Sequence, residues 1–266
     1  MPIEQNSPKE PSPSLPDRKP EDKAPNPVSA SAARRIVRKA MKATMASLEK
    51  ATAAPYASLV AVATKRDGTP ILAMSSLSHH HANISADPTI SLLFDGTPQI
   101  GDALEGGRVS ISGSLELAKD KTAKRRFMAR HPDAYYTDFA DFGFFTLNIN
   151  RVHYIAGFGQ VRWFKQDDFL LGDELKGSEE DAISHITSEQ RASVAALAHH
   201  SWETSIDPLA SGKLSLGEGE SWQLCGLDPE GADLIANGRA ARLDFAQKIT
   251  STKAALQQIT QMIEQQ

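Results

Sequence analysis

The chain has 266 residues, 40% of them hydrophobic and 23% charged, an ordinary composition for a soluble globular protein of one large or two modest domains. Its net charge of -4 and isoelectric point near 6.1 give no general attraction to nucleic acid or to an anionic membrane. The single cysteine, Cys225, excludes an internal disulfide, and no apolar run of about 18 residues is present to span a bilayer. Because no secretory signal begins the sequence, we expect a cytoplasmic location.

The N-terminal region divides into two parts. Residues 1–30 hold eight of the fifteen prolines and few large apolar side chains, which predicts a disordered tail. Residues 31–50 are predicted to form a helix capped by Ser31, because apolar residues recur at helical spacing at Val37, Met41, Thr44 and Leu48. The other face of this helix is basic (Arg34, Arg35, Arg38, Lys39, Lys42, Lys50), and we favour a solvated face over an acidic partner or a membrane surface.

The next segments alternate in hydrophobicity with the period of β-strands. Tyr56–Thr64 and Thr69–Met74 flank the dipeptide Asp67-Gly68, the strongest hairpin signal in the sequence. Further strands are predicted at Thr89–Phe94, Val109–Leu117 (where Gly113 marks a bulge or a close approach), Phe145–Ile149, Val152–Phe158 and Trp163–Phe164, with one helix at Asp120–His131 capped by Asp120. Short strands with few helices predict an antiparallel sheet that closes, wholly or partly, into a barrel.

After Lys165 the composition turns acidic, which indicates a boundary. Helices are predicted at Ala182–His200 and Thr252–Ile263, with short strands at Trp222–Leu227 and Ala241–Phe245, so this part is α+β. The predicted fold is therefore α+β, an antiparallel β-barrel, closed or partly closed, with an N-terminal helix (31–165), followed by a smaller α+β domain (170–266).

The polar stretch Ser75–Pro88, SSLSHHHANISADP, lies between two predicted strands and is the first candidate for a binding site. Ser75 and Ser76 could present two hydroxyls and their backbone N–H groups to a phosphate, with His80 and Asn83 one helical turn apart behind them. The alternative is that these are solvated turn residues. The triplet His79–His81 lacks the spacing of helical metal ligands and has no neighbouring Cys or acidic residue, so no metal site is expected.

At this point the sequence resembles a known family. The segments PYASLVAVATKRDGTPILAMSSLSHHHANISADPTISLLFDG, GDALEGGRVSISGSLELA, FMARHPDA and VHYIAGFGQVRWF are similar to the pyridoxamine 5'-phosphate oxidase-like FMN-binding split barrels, in particular their haem-iron utilisation branch. The likeness runs from about Pro55 to Phe164. The later GLDPEGADLIANGRAARLDF resembles the small domain that follows this barrel, whereas HITSEQ (His185–Gln190) departs from the family's H-M-N-x-D-H.

The resemblance implies a homodimer with a planar ligand, FMN or haem, at the interface. It implies that Ser75, Ser76, His80 and Asn83 hold the flavin phosphate, with Arg108 as a further donor; a surface salt bridge is the alternative role for Arg108. Apolar faces such as those of Phe94 and Phe145 are expected to stay partly uncovered in a monomer.

Two classes of function follow from the resemblance. The first is an FMN-dependent oxidoreductase or a haem-degrading oxygenase, in which the cofactor carries the electron chemistry. The second is a non-catalytic flavin- or haem-binding protein for storage, delivery or sensing. His131 and His153 are candidate axial ligands of haem, although His131 is expected to end a helix and His153 to decorate a strand.

Overall fold

The computed structural model describes residues 28–97, 104, 106–172, 175, 177–203 and 222–265. The helices are α1 (Ala30–Lys39), α2 (His79–Ala86), α3 (Lys121–Arg130), α4 (Gln166–Phe169), α5 (Glu179–Glu189), α6 (Arg191–Glu203) and α7 (Thr252–Glu264). The strands are β1 (Lys42–Leu48), β2 (Pro55–Thr64), β3 (Pro70–Ser75), β4 (Thr89–Gly96), β5 (Gly107–Leu117), β6 (Phe142–Gly157), β7 (Gln160–Phe164), β8 (Gln223–Asp228), β9 (Gly231–Ala236) and β10 (Arg239–Asp244). Among these helices none is both long and apolar enough to cross a membrane. The predicted disordered tail lies, up to residue 27, outside the described residues.

The first sheet is a closed antiparallel barrel. Its strand order is β3-β2-β1-β4-β5-β6-β7, and a further pairing of β3 with β6 joins the two ends so that six strands close on themselves. β6 was predicted as two strands, but it is one strand of 16 residues. Its first part pairs with β3 and its last part pairs with β7, while β5 runs along both. The split barrel inferred from the sequence is confirmed.

Two glycines, Gly68 and Gly113, occupy the turn and the close approach of strands that the sequence predicts for them. Gly68 has φ of +100°, a backbone conformation that a residue with a side chain adopts only with strain, and it turns β2 into β3. Gly113 lies at a register shift between β5 and β6, and a Cβ atom there would collide with the Asn148 carbonyl oxygen. The hairpin and the close approach are therefore both confirmed.

The helix predicted over residues 31–50 is wrong in its second half. α1 begins earlier, with Ser29 accepting a hydrogen bond from the Ala32 N–H at 3.1 Å, and it ends at Lys39. The following residues form β1, in which Ala43 and Met45 are buried and their neighbours exposed. Pairing with β2 on one side and β4 on the other satisfies the β1 backbone, so tertiary pairing overrides the helical spacing.

The barrel core contains Phe94 and Phe145, whose faces the sequence predicts to be partly uncovered. Phe94 is 0% exposed and Phe145 is 9% exposed. Strand alternation turns both rings into the core beside Tyr154 and Leu92. Uncovered faces of Phe94 and Phe145 are thus ruled out as a reason for dimerisation.

The C-terminal unit is a three-stranded antiparallel sheet in the order β10-β9-β8, with α5, α6 and α7 packed around a second hydrophobic core. β9 was not predicted, because all of its residues are buried and no alternation marks it. The single helix predicted over residues 182–200 is two helices that meet at Gln190. The exact domain boundaries stay a prediction.

Buried ion pairs join α1 and the barrel to the C-terminal unit. Arg34 and Arg38, expected on a solvated face, are 4% and 2% exposed, which corrects that expectation. Arg34 pairs with Glu230 at 2.5 Å, and Arg38 lies 3.3 Å from Asp228, which also binds Arg242 at 2.7 Å. Removing one partner of such a pair leaves an uncompensated buried charge, so this network holds the two units in one arrangement.

The same network includes α3, since Arg126 pairs with the buried Glu179 at the start of α5. Burial alone would raise the pKa of Asp228, but the charges of Arg38 and Arg242 outweigh it and lower that pKa to about 2. The pKa values of Glu179 and Glu230 are lowered in the same way, burial being outweighed by Arg126 and by Arg34 respectively.

Acid should therefore weaken the fold. A carboxylate with a lowered folded pKa stabilises the protein fully above its unfolded pKa, here 3.8 for Asp228, and loses that contribution as the pH falls toward 2. We expect Asp228 alone to account for ~2 kcal/mol of the loss. Urea unfolding at a series of pH values between 7 and 2.5 measures this loss in the free energy of unfolding. Asp228→Asn should flatten the pH dependence and the exposed Asp138→Asn should leave it intact; equal wild-type stability at pH 3 and pH 7 would contradict the prediction.

Candidate functional site

The serines of the predicted phosphate site lie at the end of β3. The Ser75 hydroxyl donates to the Asp141 carboxylate and accepts from the Leu77 N–H at 3.1 Å. The Ser76 N–H donates to the Asp141 carbonyl oxygen at 2.7 Å, while the Ser76 side chain is exposed. Ser75 therefore secures the loop before β6, and Ser76 is the serine whose hydroxyl faces solvent.

The three histidines occupy the first turn of α2, which Ser78 caps by accepting from the His81 N–H at 3.2 Å. His79 is exposed and lies 3.5 Å from the Glu49 carboxylate. His80 is half-buried, and burial followed by the charges of His81 and His79 lowers its pKa. A neutral His80 is the form expected at neutral pH, so its contribution to a phosphate would be a hydrogen bond rather than a charge.

Asn83 is almost fully buried, at 1% exposure. Its side-chain oxygen accepts from the Lys50 N–H at 3.1 Å and its amide nitrogen donates to the Ser47 hydroxyl at 3.5 Å. These contacts join α2 to the turn between β1 and β2. Asn83 is thus engaged by the scaffold, on the same end of the barrel as Ser75 and Ser76.

Arg108 lies at a different place in the barrel from Ser75 and Ser76. It pairs in register with Ile155 near the end of β6, whereas Ser75 pairs with Phe142 at the start of β6. The Arg108 guanidinium donates to the Gly106 carbonyl oxygen at 3.3 Å. The structure therefore brings Ser75, Ser76, His80 and Asn83 to one end of the barrel and places Arg108 toward the other.

Beside Arg108, the outward residues of four neighbouring strands form what we call the outer patch: Leu93 on β4, Arg108, Ser110 and Ser112 on β5, Arg151 and His153 on β6, and Val161 and Trp163 on β7. One register row runs straight across it, from Leu93 through Ser110 and His153 to Trp163. Leu93, Val161 and Trp163 are 42%, 50% and 55% exposed. Apolar side chains this exposed are typical of a binding surface when they are grouped.

His153 and Trp163 are stacked, with ring centroids 4.0 Å apart and planes 14° from parallel. The Arg151 guanidinium carbon lies 5.3 Å from the centroid of the Trp163 ring, within cation–π distance. Burial, then the charges of Arg108 and Arg151, lower the pKa of His153. His153 is therefore a neutral imidazole at pH 7, set between two cations and against an aromatic face.

The other candidate axial ligand, His131, has a structural role. It follows the last residue of α3, its Nε2 lies 2.8 Å from the Val62 carbonyl oxygen, and its ring packs on Phe127 at 4.7 Å. In the part of the chain that the structure describes, no three His, Cys, Asp or Glu side chains are grouped so that they could hold a metal ion.

Trp163 and Arg151 were not among the candidate site residues predicted from the sequence, although the sequence carries the signal. In β6 the inward residues Val152 and Tyr154 alternate with the outward residues Arg151 and His153. Alternation identifies the outward face, but only the register with β5 and β7 shows that these side chains meet Arg108 and Trp163.

Comparisons with known proteins agree with this architecture. A family model described as CREG, beta-barrel matches residues 25–170, more than half of the chain. The chloroplastic non-canonical heme oxygenase HOZ of Arabidopsis thaliana is 31% identical over 157 residues, which cover 55% of this chain and 47% of HOZ. The chain thus matches about half the length of that curated relative.

Solved structures show the same fold. The Agrobacterium tumefaciens protein Atu2129, of unknown function, is 22% identical and superposes with a TM-score of 0.69 over 87% of this chain and 94% of its own. A heme binding protein from Mycobacterium smegmatis is 25% identical over 89% of this chain and 98% of its own, with a TM-score of 0.49.

The contacts of Asn83 predict a structural rather than a binding role. Asn83→Ala leaves the Lys50 N–H without its acceptor, and we expect a loss of about 1–3 kcal/mol in the free energy of unfolding. Ser85→Ala, an exposed substitution on the same helix, is the control and should change stability by less than about 0.5 kcal/mol. Urea unfolding of both variants tests this. Unchanged stability of Asn83→Ala would show that the side chain is free to serve a ligand instead.

Proposed function

The chain belongs to the CREG β-barrel family, whose model matches residues 25–170, and on that premise we propose that it binds haem on the outer patch of its barrel. The observation that carries the proposal is the neutral His153 stacked on Trp163 between Arg108 and Arg151. The name of the Arabidopsis relative, a heme oxygenase that is 31% identical over 157 residues, supports haem as the ligand.

The residues of the outer patch fit the chemistry of haem. Haem has a flat apolar ring, two carboxylates and an iron atom. Trp163, Val161 and Leu93 offer exposed apolar area, and the guanidinium groups of Arg108 and Arg151 can pair with carboxylates. A neutral imidazole is a common ligand of haem iron, and the low pKa of His153 keeps a ring nitrogen available for it.

When bound, haem supplies the redox-active iron and the oxidisable ring. The chain's own residues would have other tasks: His153 would hold the iron, Trp163 would pack against the imidazole and keep it oriented, and Arg108 and Arg151 would pair with the carboxylates. Haem binding is the function that these residues support; whether degradation follows distinguishes an oxygenase from a storage, delivery or sensor protein.

We propose that the binding unit is a homodimer. An exposed patch covers only one face of a planar ligand, and a second copy would cover the other face and exclude water. A two-fold interface also places opposite ends of two identical surfaces side by side. Such an arrangement would bring Arg108 of one copy toward the Ser76 and His80 end of the other.

A second candidate ligand is FMN, and the exposed Ser76 hydroxyl beside the half-buried His80 is the observation that favours it. In this alternative Ser75, Ser76, His80 and Asn83 form the phosphate end of the site. Because the Ser75 hydroxyl and the Asn83 amide already bind protein groups, Ser76 and His80 would make the direct contacts.

Haem titration of the purified protein tests the first proposal. Wild type should show the absorption spectrum of iron-ligated haem, and His153→Ala should change that spectrum and weaken affinity at least about tenfold. His185→Ala, on the exposed face of α5, is the matched control and should have no effect. Light scattering of the same samples should show a dimer. Loss of the haem spectrum with reductant and oxygen would indicate an oxygenase, and an unchanged spectrum in His153→Ala would remove His153 from the site.

Comparing FMN with riboflavin tests the second candidate. Ser76→Ala removes one donor to a charged phosphate, a change of roughly 1.5–3 kcal/mol, so FMN affinity should fall about tenfold to a hundredfold while riboflavin affinity barely changes. Ser85→Ala should alter neither. Equal effects on both ligands, together with lost stability, would assign Ser76 to the loop rather than to a phosphate.

A further inference from the structure

A concave surface lies on the other side of β6 from His153. It is a cleft of about 1000 Å³ between α1, the end of β4, the start of β5 and β10. Tyr154, whose neighbour His153 points to the outer patch, lines this cleft beside Gly107. The cleft is therefore distinct from the proposed haem site, and its volume suits a small organic ligand.

Two cations of α1, one turn apart, face this cleft. Arg35 binds Asp244 through its Nε atom at 2.5 Å, which leaves its other N–H groups for further partners. Lys39 is half-buried, and among the described residues no carboxylate forms an ion pair with it. Burial, followed by the charge of Arg35, lowers the pKa of Lys39 to about 8.

The acidic residues of the cleft already have partners. Glu230 pairs with Arg34 and, at 3.5 Å, with Lys248. Asp244 pairs with Arg35 and Arg242. The Asp95 carboxylate accepts two hydrogen bonds from Thr97, at 2.9 and 2.6 Å. Lys39 is therefore the cation of the cleft whose charge is least compensated.

Apolar and hydroxyl groups complete the surroundings. Ile36 lies on α1 between the two cations, and Phe245, directly after β10, also lines the cleft. The exposed Ser31 adds a hydroxyl at the cleft margin. Two cations beside an apolar surface match a dianionic group carried on an organic body.

We propose that this cleft binds a phosphate monoester, with its phosphate on Lys39 and Arg35 and its organic part against Ile36 and Phe245. The phosphate of such an ester is a dianion above about pH 6, which suits two neighbouring cations better than a single carboxylate does. Binding also relieves the repulsion between Lys39 and Arg35, because the ligand places negative charge between them.

Isothermal titration of the full-length protein with phenyl phosphate tests the proposal, with inorganic phosphate, benzoate and chloride at matched ionic strength as comparison ligands. Phenyl phosphate should bind more tightly than the other three. Lys39→Gln should weaken its binding about tenfold to a hundredfold, as expected for the loss of a charge-assisted hydrogen bond. Lys39→Arg should keep most of the affinity, and Lys124→Gln, a lysine paired with Asp138 outside the cleft, should keep all of it.

Proton uptake provides an independent readout. At pH 8.5 the wild-type Lys39 amine is mostly neutral, so phosphate binding should take up a fraction of a proton at Nζ. The charged and titratable groups that line the cleft with Lys39 are Arg34 and Arg35 on α1, Asp95 on β4, Tyr154 on β6, Glu230 before β9, Arg242 and Asp244 on β10, and Lys248. A guanidinium keeps its proton throughout this pH range, so Lys39→Arg should bind without proton uptake.

Several outcomes would overturn the proposal. Equal affinity of wild type and Lys39→Gln for phenyl phosphate would remove Lys39 from the site. Wild-type binding no tighter than that of chloride would remove the anion site altogether, and tighter binding of benzoate would exclude the phosphate class. Circular dichroism of each variant shows whether it is folded, so that a loss of binding can be told from a loss of fold. Arg35→Gln is a second variant that should also weaken binding.

Discussion

The long strand β6 is the element on which the rest of the structure depends. Its first part pairs with β3 and closes the barrel, and its last part pairs with β7 and extends the sheet. This division separates the loop of Ser75 and Asp141 from the patch of His153 and Trp163. It also turns Tyr154 inward, so one strand borders the core, the outer patch and the cleft beside α1.

The second constraint is charge. Arg34 and Arg38 are buried and form ion pairs with Glu230 and Asp228 of the C-terminal unit. Arg126 of α3 forms a buried ion pair with Glu179 of α5. Buried ion pairs of this kind contribute little net stability, but they penalise any other arrangement of the two units. Because Arg34 and Arg38 are engaged in these ion pairs, Arg35 and Lys39 are the cations of α1 that we expect to be available to a ligand in the cleft.

The two proposed sites differ in character. The outer patch combines exposed apolar side chains with a neutral imidazole and two guanidinium groups, which suits a flat anionic ring covered by a second copy. The cleft is concave within one chain and has a cation without an ion-pair partner among the described residues, which suits a small phosphate ester. Haem on the outer patch and a phosphate ester in the cleft would therefore be separate binding events.

The sequence by itself determined the antiparallel barrel, the hairpin at Asp67-Gly68, the close approach at Gly113 and the α+β character of the C-terminal unit, because alternation and glycine positions are local properties of the chain. It also identified the polar stretch Ser75–Pro88. Only the tertiary structure decided that residues 42–48 form a strand, that β9 exists, and that Phe94 is buried. It alone separated Arg108 from Ser75, placed His153 against Trp163 and buried Arg34 and Arg38. The reason is physical: a local pattern shows which face of a strand or helix a residue occupies, but strand register and ion pairing between distant residues decide which faces meet.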